Sequence, residues 1–333
     1  METRQSYSIE TAKKTGFREK LFQWETMLGV LLLLVLAVNT SISPYFLSLG
    51  NLIDTPSVFL DKSFIVFPMM LTMILGGIDV SVGSTVALSA VIMAVSFNAG
   101  LPMEWAILLC LLVGTLCGMF NGWLLVKFHE LSPVIVTIST MIIFRGIAYI
   151  ILGDQASSGF PQWFSFFGWG SVGGVPFLLI MFALTAFLFG ILLHKTTFGR
   201  TVYGIGSNRI ACVYSAIDID KVTFIVFTLN GLMAGLTAVF LTSRMGSTRP
   251  NVALGYELEV ITMVALGGVS TTGGVGKISG PILSIFIIGY LSYGMGLANI
   301  QAPVVLVVIG LLLILSVLAS KTNLWKKQKT VAS

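Results

Sequence analysis

Apolar and polar positions along this chain fall in long blocks, not at the two-residue period of a half-buried strand. Ten apolar blocks lie at about 27–42, 62–77, 82–98, 104–126, 132–152, 175–194, 222–241, 258–268, 279–295 and 302–319. Short segments that hold most of the charge separate them. Such runs predict membrane-spanning helices. The fold class is therefore all-α: a polytopic membrane protein with about ten transmembrane helices, some of them broken. The second and eighth blocks fall short of the ~20 residues of a full crossing, and each runs into a glycine-rich turn. The two turns echo one another, "LGGIDVSVGS" from residue 75 and "LGGVSTTGGVG" from residue 266. Short Gly-rich stretches also resemble each other by chance, so the echo alone does not establish a repeat.

Composition supports lipid as the solvent. The 333 residues are 56% hydrophobic and only 10% charged, against roughly 25% charged in soluble domains. So apolar a chain cannot cover its surface with polar groups. Charge then sets an orientation, because Lys and Arg concentrate in cytoplasmic loops. With the N-terminus inside, the inner set is Arg4, Lys13, Lys14, Arg18, Lys20, Lys127, Lys195, Arg200, Arg209, Lys221, Lys277, Lys321, Lys326, Lys327 and Lys329. The outer set is Lys62, Arg244 and Arg249, and Arg145 falls within a span. Both termini are expected in the cytoplasm. This asymmetry also accounts for the net charge of +5 without any nucleic-acid partner. The expected organisation is a cytoplasmic segment over 1–26, a permease-like membrane domain over 27–319 with an inner loop at 195–221, and a basic cytoplasmic tail over 320–333. The first 26 residues are mostly polar, so the first apolar run reads as a retained span, not a cleaved signal. The aromatic outer loop, about Gly153 to Val175, reads as a short interfacial helix or a lid, with the interfacial helix favoured.

Enzyme chemistry finds little support. His129 and His194, the two histidines, lie at the cytoplasmic edge, away from any serine within a span. Residues 267–280 resemble a phosphate loop, but Thr271 stands where glycine is needed and Ile278 where Ser or Thr is needed. Cys110, Cys117 and Cys212 form no C-x-x-C pair and read as small packing residues. No metal site and no cofactor of this chain's own is expected.

Polar groups inside the spans are the candidate chemistry. Asp79 sits between two apolar blocks, where a charge is costly unless solvated or paired. Either Asp79 or Ser81 caps the following helix, or that helix start lines a translocation path; the two readings are compatible. Arg145 needs a carboxylate, carbonyls or water, and Asp79 is one candidate partner. A structural ion pair and direct substrate contact both remain open for it. Asn39, Asn121 and Asn230 read by default as interhelical hydrogen-bonding groups. Path candidates are Asp79, Ser81, Ser84, Asn121, Arg145 and Asn230. Gly114, Gly118 and Gly122, and likewise Gly231 and Gly235, recur every fourth residue and clear a helix face for a close neighbour.

In the inner loop, "GRTVYGIGSNRIACVYSAIDIDK" (199–221), Gly204 and Gly206 are expected to form a turn and Ser207 or Asn208 to cap a helix. Ile210, Val213, Tyr214 and Ile217 then share one apolar face. That face lies on the membrane surface or enters a groove of a cytoplasmic partner.

The segments "GGIDVSVGS", "FRGIAY", "FGRTVYGIGSNRIA", "LNGLMAGL", "GYELEVI" and "LGGVSTTGGVG" occur in this order. Together they resemble the membrane permease of bacterial carbohydrate ATP-binding cassette (ABC) importers, the ribose, xylose, galactose, rhamnose and autoinducer-2 permease family. The likeness runs from about residue 27 to 319. It implies a multi-pass protein of the bacterial inner membrane that translocates a monosaccharide or a related small polyol. It implies a second permease chain, identical or not, a cytoplasmic ATP-binding subunit that hydrolyses the ATP, and a periplasmic sugar-binding protein. In the family's cytoplasmic coupling segment, Gly199, Gly206, Asn208 and Ala211 match, whereas Cys212 replaces an alanine and Ala216 a glycine. The resemblance favours the partner-groove reading for Ile210, Val213, Tyr214 and Ile217. The alternative is an ion-coupled secondary sugar transporter, with Asp79, or more weakly Glu259, as its titratable carboxylate.

Overall fold

The computed structural model describes residues 24–43 and 45–331. The N-terminal segment expected over 1–26, with Arg4, Lys13, Lys14, Arg18 and Lys20, lies outside the described residues but for its last three. Each of the ten apolar blocks meets a helix. Helix α1 (Trp24–Ile42) leads through a short α2 (Leu49–Asp54) and two 3-10 turns to α3 (Ser63–Ile74). Helices α4 (Val82–Asn98), α5 (Met103–Lys127) and α6 (Pro133–Leu152) follow. The outer loop contributes a four-residue α7 (Phe166–Trp169) before α8 (Phe177–Lys195). The inner loop folds as α9 (Thr197–Ser207) and α10 (Arg209–Tyr214). The chain closes with α11 (Ile219–Met245), α12 (Tyr256–Leu266), α13 (Ser279–Leu297) and α14 (Ala302–Val331).

Six of these helices, α1, α5, α6, α8, α11 and α13, are long and apolar enough to cross a bilayer. The segment Leu49–Val58 with Leu60–Ile74, bent by 52°, is a seventh candidate. Two of the shorter helices, α3 and α4, lie in the interior. Every residue of α3 is buried, and so is most of α4. A helix apolar on all sides belongs in the interior, covered by neighbours. Helices α1, α5, α6 and α8 form the covering layer. They turn apolar side chains such as Leu33, Leu112, Ile142 and Phe187 outward, as lipid-facing helices do. Phe64 of α3 stacks on Phe240 of α11 with centroids 4.8 Å apart.

The glycine spacing identifies the closest helix pair. A Cβ added to Gly114 would lie 2.5 Å from the Gly231 carbonyl oxygen, and one on Gly118 would overlap the Phe227 carbonyl. Helices α5 and α11 therefore pack backbone to backbone, the arrangement small residues at fourth positions permit. Helix ends follow their sequence signals. Pro133 opens α6, Asp218 caps α11 by accepting from Lys221 N, and Gly246, left-handed, ends α11. Strands are minimal: β1 (Ser157–Ser158), β2 (Ser171–Val172), β3 (Val175–Pro176) and β4 (Ser247–Thr248), with β1 antiparallel to β4 and β2 to β3. The β1–β4 pair ties the outer loop to the end of α11. Beside it, Ser243 Oγ receives the Gly168 N–H and Trp169 donates to the Arg244 carbonyl.

Candidate functional site

Five of the six path candidates gather in the turn between α3 and α4 and on the helices facing it. Asp79, 1% exposed, accepts from the Ser81 amide at 3.0 Å and the Ser81 hydroxyl at 2.7 Å. It thereby closes an Asx turn ahead of α4. Ser81 stands at the N-cap position, but among the described residues no side chain accepts from the helix's own N–H groups, so neither residue caps α4 as expected. Ser81 Oγ accepts from Asn121 Nδ2 of α5 at 2.8 Å, and Ser84 Oγ donates to the Ser81 carbonyl at 2.7 Å. Asn230 of α11 donates to Thr72 Oγ1 of α3 at 2.7 Å and also faces Asp79. All five are buried, and the Oδ1 atoms of Asn121 and Asn230 have no partner among the described residues. From α6, Thr137 Oγ1 receives the Val80 amide at 3.1 Å.

Arg145 lies elsewhere. Its guanidinium donates to the carbonyls of Pro250 at 2.6 Å and Val252 at 2.7 Å. Of the partners the sequence left open, carbonyls hold it, not Asp79. The ionic groups that do pair were not foreseen as pairs. Arg244 bonds the buried Asp61 at 2.9 Å, Tyr256 donates to the same carboxylate at 3.2 Å, and Lys62 pairs with Glu259. The partners are almost two hundred residues apart in sequence, so spacing carried no signal for them.

The coupling segment differs locally from expectation. Gly204 and Gly206 lie within helix α9, not in a turn. Burial of Val202 and Ile205 on one side holds this helix down, and its glycines allow a close approach. Thr196 caps α9 by accepting from Gly199 N, and a Cβ on Gly199 would overlap the Leu193 carbonyl. Asn208 Oδ1 accepts from Ala211 N at 2.9 Å and so caps α10, as expected. Helix α10 stops at Tyr214, short of the expected Ile217. The reason is Ala216, which takes a left-handed φ of 55°, a conformation suited to the glycine that the resembling family carries there. Ile210, Val213 and Tyr214 remain 70%, 60% and 88% exposed. Ile217 leaves this face and is half-buried, its amide bonded to the Cys212 carbonyl. A cavity of about 580 Å³ lies beside α10, lined in part by His129, Pro133, Arg209, Val213, Ile217 and Asp220.

Gly206 joins this segment to both glycine-rich turns. A Cβ on it would overlap the Ile74 carbonyl and lie 2.6 Å from Gly274 N. Gly274 N itself donates to Ile74 O at 2.8 Å. Tyr203 OH donates to the Gly276 carbonyl; burial raises its pKa, so the phenol stays protonated and able to donate. The end of α3, the end of α9 and the turn between α12 and α13 thus meet in one backbone junction. The two echoing segments are in contact. Trp24 Nε1 bonds the Leu266 carbonyl at 2.9 Å and Lys277 pairs with Glu25 at 2.8 Å, so α1 begins at this end of the bundle too.

Comparison with known proteins follows the same outline. The family described as branched-chain amino acid transport system / permease component matches residues 51–317. The autoinducer 2 import system permease protein LsrD of Escherichia coli K12 is 34% identical over 313 residues, covering 92% of this chain and 94% of its own. The proteins of that name from Shigella flexneri and Escherichia coli O157:H7 give the same identity and coverage. No solved structure gives a significant match.

Proposed function

The chain belongs to the branched-chain amino acid transport system / permease component family, and from that premise we propose that it is the permease subunit of an ABC importer for a monosaccharide or a related small polyol such as autoinducer 2. It is a multi-pass protein of the bacterial inner membrane. In this reading ten helical segments lie in the bilayer, and the basic loops put the α9–α10 end in the cytoplasm. A separate subunit hydrolyses ATP, a periplasmic protein delivers the substrate, and a second permease chain completes the path.

The observation that carries the reading is the joining of an exposed apolar helix to the centre of the bundle. Ile210, Val213 and Tyr214 present an uncovered face. Within a few residues Gly206 touches the turns that end α3 and α12. A partner that grips α10 and shifts α9 moves both turns together, because backbone in contact with backbone has no slack to absorb the motion. Of the path candidates, Asp79, Ser81 and Ser84 follow the turn that ends α3, and Asn121 and Asn230 face that region from α5 and α11. Their closed hydrogen-bond set is the shut section of the path, and the unpaired Asn121 and Asn230 oxygens are acceptors for a substrate hydroxyl once it opens. Arg145 acts from the other side by fixing the Pro250–Val252 backbone.

Cross-linking at Tyr214→Cys in cells tests this. The expected product is a conjugate with an ATP-binding subunit whose yield changes with nucleotide. Exclusive reaction from the periplasmic side, or ion-gradient-driven uptake by the chain alone in vesicles without ATP, overturns it.

A further inference from the structure

Helices α3 and α12 are joined at both ends. Beyond their C-terminal ends, both turns meet Gly206 of α9. Their N-terminal ends, about 18 Å and about 16 Å away at a rise of about 1.5 Å per residue, meet in a buried ionic cluster that neither the path nor the coupling segment uses. Asp61, just ahead of α3, is its hub and is fully buried. One carboxylate oxygen accepts from Arg244 Nη2 at 2.9 Å and from the Tyr256 hydroxyl at 3.2 Å, and the other accepts from the Lys62 amide at 3.0 Å. Lys62 pairs with Glu259, and its ammonium lies 5.1 Å from the centre of the Tyr256 ring. The Asp61 carbonyl accepts from Thr237 of α11 at 3.0 Å. Three elements therefore meet here: the turn that opens α3, the end of α11 and the start of α12.

Stability alone does not call for ions in this place. Buried ion pairs add little over well-packed apolar residues, while losing one partner is costly because it strands a charge away from water. What such pairs supply is register. Asp61 can accept from Arg244 and Tyr256 together only over a narrow range of relative positions, since each bond needs about 3 Å. Arg244 is itself held from behind. Its carbonyl accepts from Trp169, and a Cβ on Gly168 would lie 2.5 Å from Arg244 Cα. Helices α3 and α11 are joined further along by the Phe64–Phe240 stack and by Asn230 on Thr72. Two short helices fastened to each other at both ends form a frame. A displacement of Gly206 at one end has to appear at the other unless the far tie gives way.

We propose that Asp61, Lys62, Arg244, Tyr256 and Glu259 are positioning residues for transport: they keep the far ends of α3, α11 and α12 in one register, so that movement delivered at Gly206 reaches the opposite end of the bundle. The inference rests on the permease reading, and the test separates the two. The full-length chain, assembled with its ATP-binding subunit and periplasmic protein in proteoliposomes, is assayed for uptake per ATP hydrolysed. The probes are autoinducer 2, D-ribose, D-xylose, D-galactose and L-rhamnose. Lys62→Glu and Glu259→Lys each set like charges side by side and are expected to lower that ratio at least about tenfold, and the double reversal to restore it to within about threefold of the wild type. Tyr256→Phe keeps the ring and loses one hydrogen bond to Asp61, and is expected to lower the ratio about two- to fivefold. A cluster that only stabilised the fold would lower membrane abundance and the unfolding temperature of the variants without changing uptake per ATP. The tie is wrong if the variants that reach the membrane, Tyr256→Phe included, keep the wild-type ratio. It is equally wrong if the double reversal, present at wild-type abundance, fails to restore the ratio; in both cases the permease reading stands. If the wild-type assembly takes up none of the probes, the permease reading for these substrates falls, and the tie with it.

Discussion

The two glycine-rich turns look alike in sequence and are fastened in different ways. The turn at 75–81 is braced by side chains. Asp79 gathers Ser81, Asn121 of α5 donates to Ser81, and Thr137 of α6 accepts from the Val80 amide. The turn at 267–278 is held mainly by backbone. Ser270 N bonds the Val275 carbonyl, Gly274 N bonds Ile74 O, and Tyr203 reaches the Gly276 carbonyl. Gly268, Gly273 and Gly274 take positive φ there, with Gly273 and Gly274 pressed against Gly206 and Ser207. A side-chain brace tolerates exchange for another acceptor of the same shape. A backbone junction tolerates no added atom. Both turns meet Gly206, so the difference lies in what each tolerates, not in which of them the coupling helices reach.

Five substitutions at four positions break or sharpen this contrast, from the largest effect to the smallest. Gly206→Val drives two branches into Ile74 O and Gly274 N, which are backbone atoms and cannot rotate away. Transport is expected to fall at least about tenfold, consistent with an overpacking cost of about 1–3 kcal/mol that must be met by parting the junction. Uptake normalised to membrane abundance measures it, and near-normal uptake refutes a tight junction. Gly274→Ala asks the same of the second turn alone. Its φ of 76° and the nearby Ser207 hydroxyl make alanine cost about 1–2 kcal/mol, read as earlier thermal unfolding of the purified chain.

Asp79→Ala removes the acceptor for two Ser81 donors and leaves a buried N–H unpaired, about 1–3 kcal/mol. Asp79→Asn keeps an acceptor oxygen in the same place. It is expected to unfold close to the wild type and to retain ATP-driven uptake. An Asn variant that folds normally but loses uptake would show that the ionisable proton matters, as the secondary-transporter reading requires. Thr272→Ala removes a side-chain hydrogen bond to Ser270 in the backbone-held turn. Its expected cost is at most about 1 kcal/mol, with transport unchanged. A larger loss would mean that side chains brace the second turn as well.

Much of the architecture was legible along the chain. All ten apolar blocks are helical, because backbone in an apolar surround must satisfy its own hydrogen bonds. Gly114, Gly118, Gly231 and Gly235 announced a close helix pair, since a missing side chain every fourth residue marks one helix face. Asn208 announced its cap. The misreadings share a cause. Gly204 and Gly206 suggested a turn because glycine is common in turns, yet here glycine serves a close approach inside a helix. Ile217 fitted a helical face by spacing, but the chain had already turned at Ala216. Arg145 was correctly marked as needing partners, and the partners proved to be carbonyls more than a hundred residues away.

What the sequence determined by itself were properties that depend on neighbours a few residues apart: helical blocks, the Asn208 cap, the glycine faces of the closest helix pair and the choice of lipid as solvent. Tertiary structure alone decided which polar groups meet. It paired Asp61 with Arg244, set Asn121 on Ser81, and lodged Gly206 between Ile74 and Gly274. The physical reason is range. Helix formation and apolar burial are fixed by local composition, whereas a hydrogen bond needs two groups within about 3 Å, a distance that only the packed bundle sets for residues far apart on the chain.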